Sequence, residues 1–275
     1  MVGLAVAIGS GEEAEVWARK KTARWPVDLS TDPTLRKSFD VLRKKWGEVP
    51  YTNVDRVKTE VLLAQSDQEL LARWEHGHLT SSRGPAFAAR GWYQCLYKDI
   101  FRGKKILDVG CGLALDTIFY AEHGAIVTFL DIVEVNVEFV KGVCAVKGLK
   151  NVSFCYMDDL TALRELPKDY DAIYCQGSLI TVPLEVARME AQALLEHLPA
   201  GGRFIELGYP KKRWEREGRM PFDRWGERTD GGAPWMEWHD LGKLEHILSP
   251  AVFDVILAME FHNSDFIWFD LIRRL

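Results

Sequence analysis

The chain has 275 residues, enough for one large domain or a domain with a substantial cap, and enough to bury a sizeable core. With 47% hydrophobic and 27% charged residues it has the make-up of an ordinary soluble globular protein, and a net charge of −5 supplies no overall field for nucleic acid. No window approaches a membrane span, no Cys/His/carboxylate cluster points to a metal, and five cysteines without a C-x-x-C pair suit a reducing, cytoplasmic setting.

The opening residues 1–8 are apolar but lack a basic n-region, and their apolar core is too short for a secretory signal; a frayed or loosely docked terminus is expected. Helix-forming charged stretches follow at 12–24, 33–46 and 55–63, punctuated by Pro26, Pro33 and Pro50. Ser66-Asp67-Gln68-Glu69 has the form of a capping box and predicts a helix to about Glu75. No alternating strand pattern occurs in this region, so residues 1–84 read as a helical cap. Residues 76–85 read as a polar hinge from which His76 and His78, two apart, could touch one pocket. Pro85 suits the first turn of the next helix, whose apolar residues Phe87, Trp92, Cys95, Leu96 and Ile100 keep roughly helical spacing.

Residues 104–131 organise the rest. A continuous apolar run at 106–109 predicts a buried strand, Gly110-Cys111-Gly112 a tight turn, 113–123 an amphipathic helix, and 126–130 a second strand closed by Asp131. Strand, turn, helix and strand in that order predict a parallel pair with a right-handed crossover. Glycines let a ligand approach the backbone, the helix start presents free N–H groups, and an acidic residue ending the second strand can bind a ribose diol. The pattern therefore predicts a nucleoside-containing cofactor. A dinucleotide fingerprint needs a third glycine where Leu115 stands, and the Gly-Lys-Ser/Thr ending of a phosphate loop is absent.

Further along, a helix is predicted over 133–147 with Gly148 as its cap, then strands at 152–157, 170–175 and 203–207. A helix opened by Pro183 carries a core stripe of Leu184, Ala187, Ala191, Leu194 and Leu198. Residues 209–240 form a long insertion rich in Trp, Arg, Glu and Gly, placed as a lid at the end of the fifth strand. A short helix at 241–248 precedes strands at 253–261 and 266–272, whose four-residue link makes them an antiparallel hairpin.

The block Leu107-Asp108-Val109-Gly110-Cys111-Gly112 resembles motif I of the class I S-adenosylmethionine-dependent methyltransferases, an acidic-x-Gly-x-Gly-x-Gly pattern in which the last glycine is here Ala114. Five β/α units closed by a hairpin extend the resemblance from about residue 103 to the C-terminus. It implies an α/β fold: an open, mostly parallel seven-stranded Rossmann-like sheet with a C-terminal antiparallel hairpin and an N-terminal helical cap, the main domain spanning 85–275. It also implies S-adenosyl-L-methionine as cofactor and S-adenosyl-L-homocysteine as product. By the same resemblance Asp108, Gly110 and Gly112 would surround the methionine part, and Asp131 would hold the ribose hydroxyls with Ile132 packing on adenine. Asp158 would take the adenine amino group, with Asp159 as the alternative or as a helix cap. Gln176 and Gly177 would hold the ammonium, and Gln176 could also face the acceptor.

Methyl transfer needs a base only when the acceptor must lose a proton. His262, His239 and His78 are the candidates by residue type and position. For His262, with Asn263 and Asp265, a site on the cofactor-side rim stands beside the alternative of a solvated hairpin turn. Tyr209, Trp235 and Trp238 in the lid are the expected substrate-binding aromatics, because Trp faces beside carboxylates suit a polar, ring-shaped or cationic acceptor such as an amino sugar. Packing of the lid is the alternative for any one of them. The expected activity is methyl transfer to N or O of a polar small molecule or natural product, with no nucleic acid, membrane or metal involved. A nucleic-acid methyltransferase and a cofactor-binding scaffold without turnover are the alternatives. The Asn/Asp-Pro-Pro-Tyr/Phe motif of base-amine methylation is missing at Cys175-Gln176-Gly177-Ser178.

Overall fold

The computed structural model describes residues 33–50, 56–229 and 232–274. The expected apolar terminus, the helix over 12–24 and Pro26 lie outside the described residues.

The first described helix, α1 (Pro33–Trp46), sets Leu35, Phe39 and Leu42 on one buried face. Gly47 ends it, and a two-stranded antiparallel hairpin follows, β1 (Glu48–Pro50) with β2 (Arg56–Lys58), then the short α2 (Thr59–Leu63). This corrects the expectation of helix over 55–63 and of no strand in the cap. Three-residue strands are too short to show alternation, and their pairing rests on Val49 opposite Val57.

The Ser66–Glu69 capping box opens α3 (Asp67–Ser82) as expected, with both reciprocal bonds formed. The helix does not stop near Glu75. It runs through the expected hinge, because Trp74, His78 and Phe119 stack in series with centroids 5.1 and 5.6 Å apart. A single 3-10 turn at Gly84–Ala88 carries Pro85 in its first turn, and a break at Arg90 separates it from α4 (Gly91–Ile100).

The core is one seven-stranded sheet built from β3 (Lys105–Val109), β4 (Ile126–Asp131), β5 (Val152–Tyr156), β6 (Ala172–Gln176), β7 (Arg203–Gly208), β8 (Phe253–Phe261) and β9 (Phe266–Arg273). The order is β5-β4-β3-β6-β7-β9-β8, with the first five parallel and β9 antiparallel to both β7 and β8. Strand β8 therefore lies at the edge with only β9 beside it, yet points the same way as the parallel strands, so its following turn reaches their carboxyl rim.

Alternate strand residues feed opposite layers. Leu107, Val109, Ile173, Cys175 and Phe204 pack with α1, α7 (Leu184–Leu195) and α10 (Leu241–Leu248). Ile106, Val127, Tyr174, Ile205 and Trp268 meet α4 and α5 (Leu115–Glu122), while Phe129 meets α3 and α6 (Glu134–Lys147). Because Leu35, Phe39 and Leu42 share the first of these cores and Leu70 and Trp74 another, the cap is packed into both layers. The insertion after β7 folds into α8 (Lys211–Arg216) and α9 (Phe222–Thr229).

Candidate functional site

A cavity of about 340 Å³ opens at the carboxyl ends of the parallel strands, where ligands of open α/β sheets sit. One end is walled by Gly110, Cys111 and Gly112 after β3, Asp131 and Ile132 at the end of β4, and Met157 after β5. Its middle is Gln176, Gly177 and Ser178 after β6. The other boundaries are Leu207 of β7, Tyr209 just after it, Phe266 of β9, Glu190 of α7, and a roof of Phe39, Leu42, Trp46, Glu48, Val49 and Arg56.

The glycine turn explains why the sequence stands out there. Gly112 has φ +53° and Gly177 φ +73°, and a Cβ added at either would meet nothing within 4 Å, so both backbones face open space. Ala114 is also left-handed, at φ 52°. That is the position where the resembled motif has glycine, and alanine accepts about 1–2 kcal/mol of strain there. The strain also explains why α5 starts at Leu115 and not at the expected residue 113.

Asp131 is buried, and its Oδ1 accepts the Val133 N–H at 2.8 Å. Burial pushes its carboxyl up to about 7, against hydrogen bonds from the Val133, Gly112 and Ile132 backbones and from Asn136. Asn136 also ties the roof to this wall, accepting from Thr59 Oγ1 at 2.8 Å and donating to the Trp46 carbonyl at 3.1 Å. Arg43 of α1 adds a strap to the Ile132 carbonyl at 3.1 Å and another to the Asp158 carbonyl.

At the middle of the cavity Gln176 Oε1 accepts from Arg90 Nη1 at 3.0 Å, and Gln176 Nε2 donates to the Tyr93 hydroxyl. The same Arg90 nitrogen lies 3.0 Å from Asp116 Oδ2. The buried Asp116 carboxylate also receives Gln94 Nε2 at 2.6 Å and the Tyr174 hydroxyl at 3.1 Å. This network fixes the side chain of Gln176 beside the open backbone of Gly177.

The structure thus brings Gly110, Gly112, Asp131, Ile132, Gln176, Gly177 and Tyr209 to one cavity. Other residues expected there are elsewhere. Asp108 lies under the turn, its carboxylate taken by Cys111 Sγ and Thr117 Oγ1, and burial pushes it up to about 7. Asp158 is exposed and lines a separate hollow with Asp40 and Arg43, while Asp159 caps the turn after β5 by accepting the Thr161 N–H at 2.7 Å. His78 is on α3, away from the cavity, where burial holds its imidazole below the ordinary value. His239 is fully buried against Glu206. His262 is in the hairpin turn, 3.0 Å from Asp265 Oδ2, and Asp265 and the Asn263 carbonyl are both engaged by Arg216.

The lid tryptophans are likewise off the wall. Trp235 donates to Glu237 Oε2 at 3.2 Å, and Trp238 lies under the Lys243 and Lys211 ammoniums, 3.5 and 5.3 Å from its ring centroid. The lid instead makes its own small core around Tyr209, Trp225 and Met236. What the sequence reading missed is the roof, Arg90 and Glu190. Glu190 had a visible signal, a carboxylate inside the apolar stripe of its helix.

The residues present fit S-adenosyl-L-methionine. Asp131 is suited to a diol, Ile132 and Met157 to the face of a base, and the open backbones of Gly112 and Gly177 to the close approach of an amino-acid group. Among the described residues there is no group of His, Cys, Asp and Glu that could hold a metal ion, and no helix long and apolar enough to cross a membrane.

Residues 106–202 match a methyltransferase domain family. A 2-heptyl-1-hydroxyquinolin-4(1H)-one methyltransferase of Mycobacteroides abscessus is 26% identical over 106 residues, 38% of this chain and 46% of the relative. A ubiquinone biosynthesis O-methyltransferase of Idiomarina loihiensis is 32% identical over 114 residues, 41% of this chain and 46% of that protein. The chain thus spans less than half the length of these curated relatives. The crystal structure of magnesium protoporphyrin IX methyltransferase from Synechocystis PCC 6803 superposes with a TM-score of 0.52 at 20% identity, covering 87% of this chain and 95% of that one, a likeness of fold. The matched methyltransferase-domain segment, residues 106–202, holds the β3 turn, the end of β4 and the turn after β6 that wall the cavity.

Proposed function

We propose that the chain is a methyltransferase moving a methyl group from S-adenosyl-L-methionine to an N or O atom of a small molecule. The observation that carries this reading is the continuity of the cavity. Its wall runs without a break from Asp131 and the 110–112 turn to Tyr209, Phe266 and the roof residues Phe39 and Trp46. A sulfonium donor held at the first end supplies an electrophilic methyl carbon, whose bond to sulfur breaks as the acceptor's lone pair attacks and leaves the electron pair on sulfur. The residues of this chain position the two partners and exclude water, which supplies most of the acceleration such a displacement needs. Roof and wall close over the site through Arg43 and Asn136, so binding and closure draw on the same elements.

The polar, ring-shaped acceptor expected from the lid loses its basis, because Trp235 and Trp238 do not line the cavity. Phe39, Leu42, Trp46 and Phe266 instead suit a flat, largely apolar molecule carrying one hydroxyl or amine. A hydroxyquinolinone in the name of one relative and ubiquinone biosynthesis in another fit that class. Natural-product metabolism is the setting we infer, in a reducing cytoplasm that suits free thiols at Cys95, Cys111, Cys144, Cys155 and Cys175.

Incubation with the donor and a panel of aromatic hydroxyl and amine compounds, read by mass spectrometry, tests this. Gain of one methyl group by at least one panel member is the expected result. Transfer to none of them by folded protein that binds the demethylated product, or transfer to oligonucleotides alone, would contradict it.

A further inference from the structure

Glu190 is a carboxylate that the fold buries and leaves alone. It lies on α7 between Ala187 and Ala191, inside the stripe that packs on the sheet, and is 6% exposed. Among the described residues it has no hydrogen-bond or ion-pair partner, and it lines the cavity together with Ile180 and Thr181. An unpaired buried carboxylate is unfavourable, and replacing it by an apolar residue of the stripe would remove the penalty. A charge kept at that place is accounted for by something that enters the cavity.

The other charged groups nearby are committed. Glu48 on the opposite wall is paired with Lys45 and Arg56, and the Lys45 hydrogen bond foremost holds its carboxyl below the usual range. Asp131 belongs to the donor end, and Arg90 is bound to Asp116 and Gln176. On α7 itself Glu185 and Arg188 turn to His246 of α10. Beneath, Glu206 is taken by His239, and both Glu206 and Glu190 bear on the Cys175 thiol, which burial pushes well up. On α1, Arg43 is bound to Asp40 and to the ends of β4 and β5.

We propose that Glu190 is the general base of the acceptor site, taking the proton of the hydroxyl or amine that receives the methyl group. This rests on the methyltransferase reading above. The X–H bond of the acceptor breaks, its proton goes to a Glu190 oxygen, and the X–C bond forms with the transferred methyl. The positive charge carried in by the sulfonium leaves as that proton, which the carboxyl then releases to water. Burial raises the Glu190 carboxyl to about 7, which matches a base working near neutral pH better than an exposed glutamate would.

Two measurements on Glu190→Gln test the assignment, one of them without donor or acceptor. The folded carboxyl holds its proton up to about 7, whereas the ordinary value is 4.5. The contribution of Glu190 to stability is therefore fully present below the ordinary value and is lost as pH rises through the folded one. Asp108 and Asp131 titrate in the same window but are common to both proteins. Glu190→Gln should match the wild type in Tm near pH 4.5 and exceed it by about 7–14 °C at pH 8. With donor and a turned-over acceptor, kcat should fall about 100-fold with donor affinity unchanged, and the acidic limb of the wild-type rate profile should disappear. Glu190→Asp should keep that limb and recover part of the rate. Equal Tm differences at both pH values, or a Glu190→Gln protein with wild-type turnover and an intact acidic limb, would overturn the assignment while leaving the methyltransferase reading in place. A wild-type chain that transfers methyl to nothing would overturn both.

Discussion

Replacement of Arg90 by methionine should lower stability by about 3 kcal/mol, a fall in Tm of roughly 6–12 °C, and weaken cofactor binding with it. The reason is Asp116, which is fully buried in the first turn of α5 and has Arg90 as its ion-pair partner. Gln94 and Tyr174 satisfy the Asp116 oxygens but bring no charge. Without the guanidinium a buried carboxylate is left with no compensating charge, which is unfavourable. Gln176 loses the donor to its Oε1 at the same time, so a cavity wall loosens where the fold is weakened. The double variant Arg90→Met with Asp116→Asn should recover most of the lost Tm, because it removes the stranded charge. An unchanged Tm in the single variant, measured by thermal unfolding at pH 7, would show that the pair contributes nothing.

Asp131→Ala should weaken binding of S-adenosyl-L-homocysteine on the order of a hundredfold while the domain stays folded. A carboxylate accepting both hydroxyls of a ribose makes two charge-assisted hydrogen bonds of about 1.5–3 kcal/mol each, and alanine makes neither. Some of the loss is offset, since the ligand-free protein no longer carries a buried carboxyl raised to about 7. The Val133 N–H is orphaned by alanine, so Asp131→Asn serves as the control that keeps an acceptor in place. Calorimetric titration of both variants checks this, and wild-type affinity in Asp131→Ala would remove the residue from the ribose.

What the sequence made legible was local. The sheet strands are short apolar runs bounded by turns, and the hairpin of β8 and β9 was visible because four residues cannot bridge anything else. Gly110, Gly112, Asp131 and Gln176 stood at the ends of those strands, and strand ends in a parallel sheet share one rim. The cavity roof was not legible, because Phe39 and Trp46 line the same cavity as Asp131 from far away in the chain and nothing in their own helix records that. His78 was read from a polar stretch, yet its neighbours at Trp74 and Phe119 make it part of a stacked helix face. The lid tryptophans were assigned to a ligand for their chemistry, while Lys243, Lys211 and Glu237 use that same chemistry within the lid. His262 was read for a site or a solvated turn alike, and Asp265 and Arg216 hold that turn together without bringing it to the cavity lining. Glu190 was passed over because a stripe was read for its apolar members, when the exception within it was the informative residue.

The most direct test of the donor site is a crystal structure of the chain with S-adenosyl-L-homocysteine. The expected result has the ribose hydroxyls on the Asp131 carboxylate, the adenine between Ile132 and Met157, and the amino-acid end against the Gly112 and Gly177 backbones. Cofactor bound outside this cavity, or within it with Asp131 turned away from the ribose, would contradict it.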